Sequence, residues 1–171
     1  MNFIVSSATL LRHLQNISGV LNSSNTLPIL DNFKFSIKGN ELEISATDLE
    51  TTMITKLEVQ SEEDGAVAVP AKLVLEVLKS LPDQPCTFKV NGDNHKIEIS
   101  YDNGRSEMSG FNGAEFPKLP KIENQSTINI SGEIVSNAIN RTLFAAGNDE
   151  LRAAMSGVYC EFSDNEIIFV A

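Results

Sequence analysis

The chain has no tryptophan, and only two histidines, two cysteines and two tyrosines among its 171 residues. His13 and His95 stand apart from each other and from Cys86 and Cys160. No CxxC or HExxH spacing occurs, so neither a zinc site nor a metalloprotease helix is expected. The two cysteines lie in separate strand-like runs and are expected to be buried free thiols of a reducing compartment. GxxxxGK[ST] and GxGxxG loops are also missing, which removes the common nucleotide-binding readings. No apolar run reaches the roughly 18 residues of a membrane span. The opening Met1-Asn-Phe-Ile-Val-Ser6 has no basic stretch leading into an apolar one, so no secretory signal is expected. Asn16-Ile-Ser18 and Asn140-Arg-Thr142 then match the glycosylation pattern by chance. Asp48 and Glu50 would share one face of a strand, yet no histidine or third ligand accompanies them, and they read as strand-entry residues. No catalytic residue, metal or cofactor is expected.

What is present is an ordinary core-forming composition, 42% hydrophobic and 21% charged, suited to one domain or one plus a piece. Phe3-Ile-Val5 reads as a short strand. Ser6 or Ser7 then caps a helix whose apolar residues, Leu10, Leu11, Leu14, Ile17 and Leu21, follow the helical period. Phe33–Ile37 and Leu42–Ile44 alternate around a Lys38-Gly-Asn40 turn, and Thr51 to Val59 forms a longer strand. The pattern then restarts. Val67 and Val69 form a strand, and Pro70 opens a helix with Leu73, Val74, Val77, Leu78 and Leu81 as its stripe. Strands follow at Cys86–Val90, Lys96–Ser100 and Arg105–Phe111. The expected class is α+β: two β-α-β-β-β halves, both helices on one face, antiparallel sheets outside.

A second repeat is longer. Shifted by 125 residues, Phe3 to Ala46 lies without a gap on Ile128 to Ala171. Ser6 meets Ser131, Asn40-Glu41 meets Asn165-Glu166, and Leu10 and Leu14 meet Val135 and Ile139. Conserved spacing with drifting identity marks a duplicated unit. The expected organisation is a complete domain over 1–120, a linker over 121–127 and the N-terminal part of a second, truncated domain over 128–171. That second part is expected to hold a strand, a helix from Glu133 to Ala146, and two more strands.

Charge is unevenly placed. The net charge is −10, yet the three expected helices carry Arg12, Lys72, Lys79 and Arg141 against only Glu76 and Glu133. A polyanion would be attracted by the helix face and repelled by the remainder.

Met1-x-Phe3-x-Val5, Ser18-Gly19, Thr26-Leu-Pro-Ile-Leu30 with Asn32, Thr47-Asp-Leu-Glu50, Val69-Pro-Ala71, Ala114-Glu-Phe-Pro117, and Arg152 with Gly157 together resemble the bacterial DNA polymerase III beta subunit family of sliding clamps. The resemblance covers the whole chain. It implies a DNA-clamp fold, a head-to-tail ring with a second subunit around duplex DNA, and a non-catalytic, cytoplasmic processivity role beside the replicative polymerase and clamp loader, with no membrane partner. It also implies DNA-facing positions at Arg12, Ser24, Lys72, Lys79, Arg141, Asn148 and Arg152. Leu73, Val77, Arg105, Ser106 and Met108 would lie at the subunit interface, and Met155 would belong to a peptide-binding groove. The competing reading is a non-catalytic interaction module that uses an exposed edge strand.

Overall fold

The computed structural model describes residues 1–21, 27–118, 127–147, 154–163 and 166–171. It divides into two compact units, Met1–Pro120 and Lys121–Ala171.

The first unit runs β1 (Asn2–Ser6), α1 (Ser7–Ile17), β2 (Asn32–Lys38), β3 (Glu41–Thr47), β4 (Thr52–Glu58) and β5 (Gln60–Ser61). It continues with β6 (Gly65–Pro70), α2 (Ala71–Ser80), β7 (Pro85–Val90), β8 (Lys96–Tyr101), β9 (Gly104–Ser109) and β10 (Phe111–Asn112). Two five-stranded antiparallel sheets result, ordered β5-β1-β7-β8-β9 and β10-β6-β2-β3-β4. The pairing crosses between the two sequence segments: β1 pairs with β7, and β6 pairs with β2. Neither segment could complete its sheet alone, because each supplies a strand to the other's ladder.

That exchange brings three phenylalanines together. Phe3 on β1 stands opposite Phe88 on β7, their rings stacked at 4.8 Å. Phe35 on β2, in the other sheet, tilts against both at 6.4 and 6.3 Å. All three are essentially inaccessible, as are Leu10 and Leu14 of α1 and Val74 and Leu78 of α2. Large aromatic areas removed from water in one place dominate core energetics.

Ser6 is the cap of α1, its Oγ accepting from the Thr9 N–H at 3.2 Å. Ser7 has a different task. Its buried hydroxyl donates to the Pro82 carbonyl at 2.7 Å and accepts from the Gln84 N–H at 3.0 Å. Gln84 in turn accepts the Asp102 N–H at 3.0 Å. One polar chain therefore ties the start of α1 to the α2–β7 loop and the β8–β9 turn, and the buried Ser7 hydroxyl is satisfied both as donor and as acceptor. The two helices pack side by side, α1 over β3 and β4 and α2 over β2 and β6.

The expected strand from Arg105 to Phe111 is broken in two. At Gly110 the chain leaves one sheet for the other, squeezing between β6 and β8. A Cβ there would sit 2.7 Å from the Ala68 carbonyl and 2.8 Å from Ile97 Cδ1, so only glycine fits. On α2, Leu73 leaves the expected stripe and is 47% exposed, because Ala71, Val74 and Leu78 take the core-facing side.

The second unit contains α3 (Gly132–Thr142), a 3-10 turn at Leu143–Ala145, β11 (Tyr159–Phe162) and β12 (Ile167–Val170). Helix and turn fall residue for residue 125 positions after α1 and its own 3-10 turn at Ser18–Val20. The hairpin register agrees as well: Tyr159↔Val170 and Cys160↔Phe169 reproduce Lys34↔Ser45 and Phe35↔Ile44 at that offset. Two expectations fail here. Residues 128–130 form no strand, since among the described residues nothing pairs with them as β5 and β7 pair with β1. The helix stops at Thr142 rather than Ala146, with the 3-10 turn following it. Residues 121–126 of the expected linker lie outside the described residues.

Cys86 is buried, as expected, but Cys160 is exposed. Among the described residues of the second unit none is buried, so a strand-like run there does not imply an interior side chain. Burial pushes the Cys86 thiol pKa up, and the nearby Asp102 carboxylate adds to it.

Two outcomes follow from this packing. Phe88→Ala should cost about 3–5 kcal/mol in urea unfolding, because it empties a site lined from both sheets. A thiol reagent at neutral pH should modify Cys160 promptly and Cys86 only with unfolding, read by mass spectrometry.

Candidate nucleic-acid interface

The cations of α1 and α2 lie on the sides turned away from the core. Arg12, Lys72 and Lys79 are all exposed. Lys72 and Lys79 are two turns apart and share a helix face. Glu76 lies between them without a salt bridge to either, and α1 carries no acidic residue at all. Among the described residues, Arg12, Lys72, Lys79 and the exposed Arg141 of α3 make no ion pair.

The sheets treat several of their cations differently. Lys56 on β4 bridges Glu41 at 2.8 Å and Glu43 at 3.3 Å across the β3–β4 pair. Those hydrogen bonds, Glu41 first, raise its pKa. Lys96 on β8 pairs with Glu107 on β9, holding that carboxyl below its ordinary value, and Arg105 lies 3.9 Å from Glu98. Exposed pairs of this kind add little stability. They do neutralise the sheet surface locally, although Lys38 and Lys89 on the strands are exposed and make no ion pair among the described residues. The helix cations are likewise ones an external anion can reach without displacing a partner.

His13, next to Arg12, is half-buried, its Nδ1 2.6 Å from the Thr55 hydroxyl of β4. This contact was not legible in the sequence, since Thr55 is 42 residues away and nothing in its local pattern marks it. Ser24, Asn148 and Arg152 lie outside the described residues. Arg141 belongs to the second unit and is described there alone.

At the other candidate surface, β9 is the outer strand of its sheet. Its alternation points Arg105, Glu107 and Ser109 outward. Met108, expected at an interface, is 7% exposed and belongs to the core, so its side chain is not available there. Ser106 is half-buried, its hydroxyl 3.2 Å from that of Tyr101. Val77 packs partly against the core, while Leu73 is exposed. Met155 is 61% exposed, and its carbonyl accepts from the Gly147 N–H at 3.0 Å.

Several motif residues prove to be builders of turns. Asn32 donates from Nδ2 to the Pro28 and Ile29 carbonyls at 2.9 and 3.1 Å, closing the 3-10 turn at Pro28–Asp31. Asp48 Oδ1 accepts the N–H groups of Glu50 and Thr51, which holds Leu49 in the left-handed region at φ 80°. Asp48 and Glu50 are therefore turn residues, in keeping with the strand-entry reading. Among the described residues, no group of three or more His, Cys, Asp or Glu side chains has metal-binding geometry, and no helix is long and apolar enough to cross a membrane.

Residues 1–120 match the family described as DNA polymerase III beta subunit, N-terminal domain. The chain belongs to that family. A beta sliding clamp of Vibrio cholerae serotype O1 is 27% identical over 173 residues, covering all of this chain and 47% of the relative. One from Proteus mirabilis is 28% identical, again over all of this chain and 47% of its own length. The chain thus spans about half the length of the curated clamps it matches. Among solved structures, the DNA polymerase sliding clamp from Caulobacter crescentus superposes at a TM-score of 0.86 with 28% identity, over 94% of this chain and 44% of that one. The Bacillus subtilis clamp, 22% identical, reaches 0.91 over 99% of this chain and 46% of its own, a likeness of fold.

Because the clamp helices' cations have no ion-pair partners to lose, replacing Arg12, Lys72 and Lys79 together by Ala should shift stability by about 1 kcal/mol or less. Ser7→Ala should cost about 1–3 kcal/mol, since it strands the Gln84 N–H. Both are read from urea midpoints.

Proposed function

We propose that this chain forms the first domain and the opening part of a second domain of a bacterial sliding clamp, a non-catalytic cytoplasmic subunit that keeps a replicative polymerase on its template. Residues 1–120 are the complete first domain, and residues 128–171 begin another of the same kind, a reading supported by the shared 125-residue offset of helix, turn and hairpin. The observation that carries the functional reading is the cationic surplus of the paired helices in an acidic chain: α1 has no acid, and Glu76 of α2 bridges neither lysine. On the sheets, Lys56, Lys96 and Arg105 face carboxylates, whereas Lys34, Lys38 and Lys89 make no ion pair among the described residues.

Topological confinement needs a surface that attracts phosphates without gripping bases. A few Lys and Arg side chains supply attraction that is independent of sequence and falls with salt. Arg12, Lys72, Lys79 and Arg141 take that role on the described residues, and the positions of Ser24, Asn148 and Arg152 extend it. The β9 edge, with Arg105 outward and its backbone unpaired on one side among the described residues, is the surface for a second subunit, joined by Leu73 and by the partly covered Val77 and Ser106. Met108 contributes there only through its main chain. Met155 belongs to a groove for peptide segments of polymerase and other replication proteins.

The native polypeptide carrying this sequence, loaded on a circular duplex, should resist high salt and be released when the circle is cut. Retention unchanged by linearisation would contradict encirclement. In a low-salt assay with linear duplex, each of Arg12, Lys72 and Lys79 that neutralises a phosphate should, when replaced by Ala, flatten the slope of log K against log salt by about 0.9. An unchanged slope in the triple Ala variant would show that the helix cations do not meet phosphate.

A further inference from the structure

The sequence contains three Asn-Gly pairs, Asn91-Gly92, Asn103-Gly104 and Asn112-Gly113. An asparagine before glycine is prone to spontaneous loss of its side-chain amide, because glycine leaves the following nitrogen unshielded. Whether it happens in a folded chain depends on two freedoms: the asparagine carboxamide must turn toward that nitrogen, and the glycine backbone must move to meet it.

The fold removes one or both freedoms from two of the pairs. Asn91 Oδ1 accepts the Asp93 N–H at 2.8 Å and the Asn94 N–H at 3.3 Å, an arrangement that holds its carboxamide over the following turn. Asn112 Oδ1 accepts the Ala114 N–H at 3.0 Å as the cap of a 3-10 turn. Gly113 behind it is buried, with the Ala66 carbonyl carbon only 2.7 Å from where a Cβ would be. Asn103 differs on both counts. Asn103 and Gly104 are exposed in the β8–β9 turn, and among the described residues the Asn103 side chain makes no hydrogen bond. A Cβ at residue 104 would come within 3.2 Å of the Tyr101 ring, a tight approach to which the ring would have to yield.

We propose that Asn103 is a spontaneous deamidation site of this protein and that its conversion loosens the register of the edge strand β9. In the reaction the Gly104 backbone nitrogen, relieved of its proton, attacks Asn103 Cγ. The new C–N bond closes a five-membered imide, and the side-chain nitrogen departs as ammonia with that proton. Water then opens either of the two imide C–N bonds, giving aspartate or isoaspartate without oxidant, metal or cofactor. Either product adds a negative charge beside Asp102, two residues from Arg105. Isoaspartate also lengthens the main chain by one carbon inside the turn. The pairs Tyr101↔Gly104 and Ser100↔Arg105, which start the β8–β9 ladder, stand directly behind it. The site itself is independent of the clamp reading. Any effect on subunit assembly rests on that reading.

The test is peptide mapping by mass spectrometry during incubation of the folded chain in mildly alkaline buffer. The peptide with Asn103 should be half converted while those with Asn91 and Asn112 remain intact, and in denaturant all three should convert at comparable rates. Conversion of Asn91 or Asn112 as fast as Asn103 in the folded chain would overturn the assignment. Asn103→Gln should abolish the early acidic species on anion exchange and leave the urea midpoint unchanged. In the isolated acidic species, amides from Arg105 to Ser109 should exchange faster with solvent; unchanged protection there would overturn the register effect.

Discussion

The architecture depends on the exchange of one strand between two sequence segments. With β1 in the ladder of β7 and β6 in that of β2, neither sheet exists unless both segments are present. The stacked pair Phe3–Phe88 belongs to one sheet and Phe35 to the other, so the aromatic cluster locks the sheets face to face at the point of exchange. The Ser7–Gln84–Asp102 chain does the same work at the periphery, in hydrogen bonds. Once these groups are joined, α2 lies over the β2–β6 pair that the exchange creates, and α1 lies beside it over β3 and β4 of the same sheet.

That placement decides where charge is left free. Across neighbouring strands side chains stand close enough to meet, and Lys56 on β4 and Lys96 on β8 find carboxylates on β3 and β9. On α1 there is no acid to meet, and on α2 the single Glu76 makes no bridge. The chain is acidic overall, yet its helices keep a small cationic surplus with no internal claim on it. The proposed role, confinement on DNA by topology, would require no more than this, and stronger or base-reading interactions would oppose movement along the duplex.

Much of this was legible in the sequence because apolar spacing reports burial. The stripes Leu10–Leu14–Ile17 and Val74–Leu78 marked the helices and their inward faces. The offset of 125 located α3 and β11–β12 through pattern alone. What local pattern could not carry was anything set by a distant neighbour. The break at Gly110 comes from Ala68 and Ile97, the hydrogen bond of His13 from Thr55, and the strand missing at residues 128–130 from the lack of a pairing partner. Cys160 shows the same limit, since a strand-like run says which residues alternate and not whether a second layer covers them. Of the site residues, the exposure of Arg12, Lys72 and Lys79 was readable from helical phase. The burial of Met108 depended on which way β9 faces its sheet.

The central claim is that the shared helix face, and not the sheet surface, meets the phosphate backbone. Backbone amide shifts of the chain, titrated with short duplexes of unrelated sequence at low salt, test it most directly. The account predicts perturbations on α1 and the cationic side of α2, alike for every duplex and fading as salt rises. Perturbations centred on the outer strands, or confined to one duplex sequence, would contradict it.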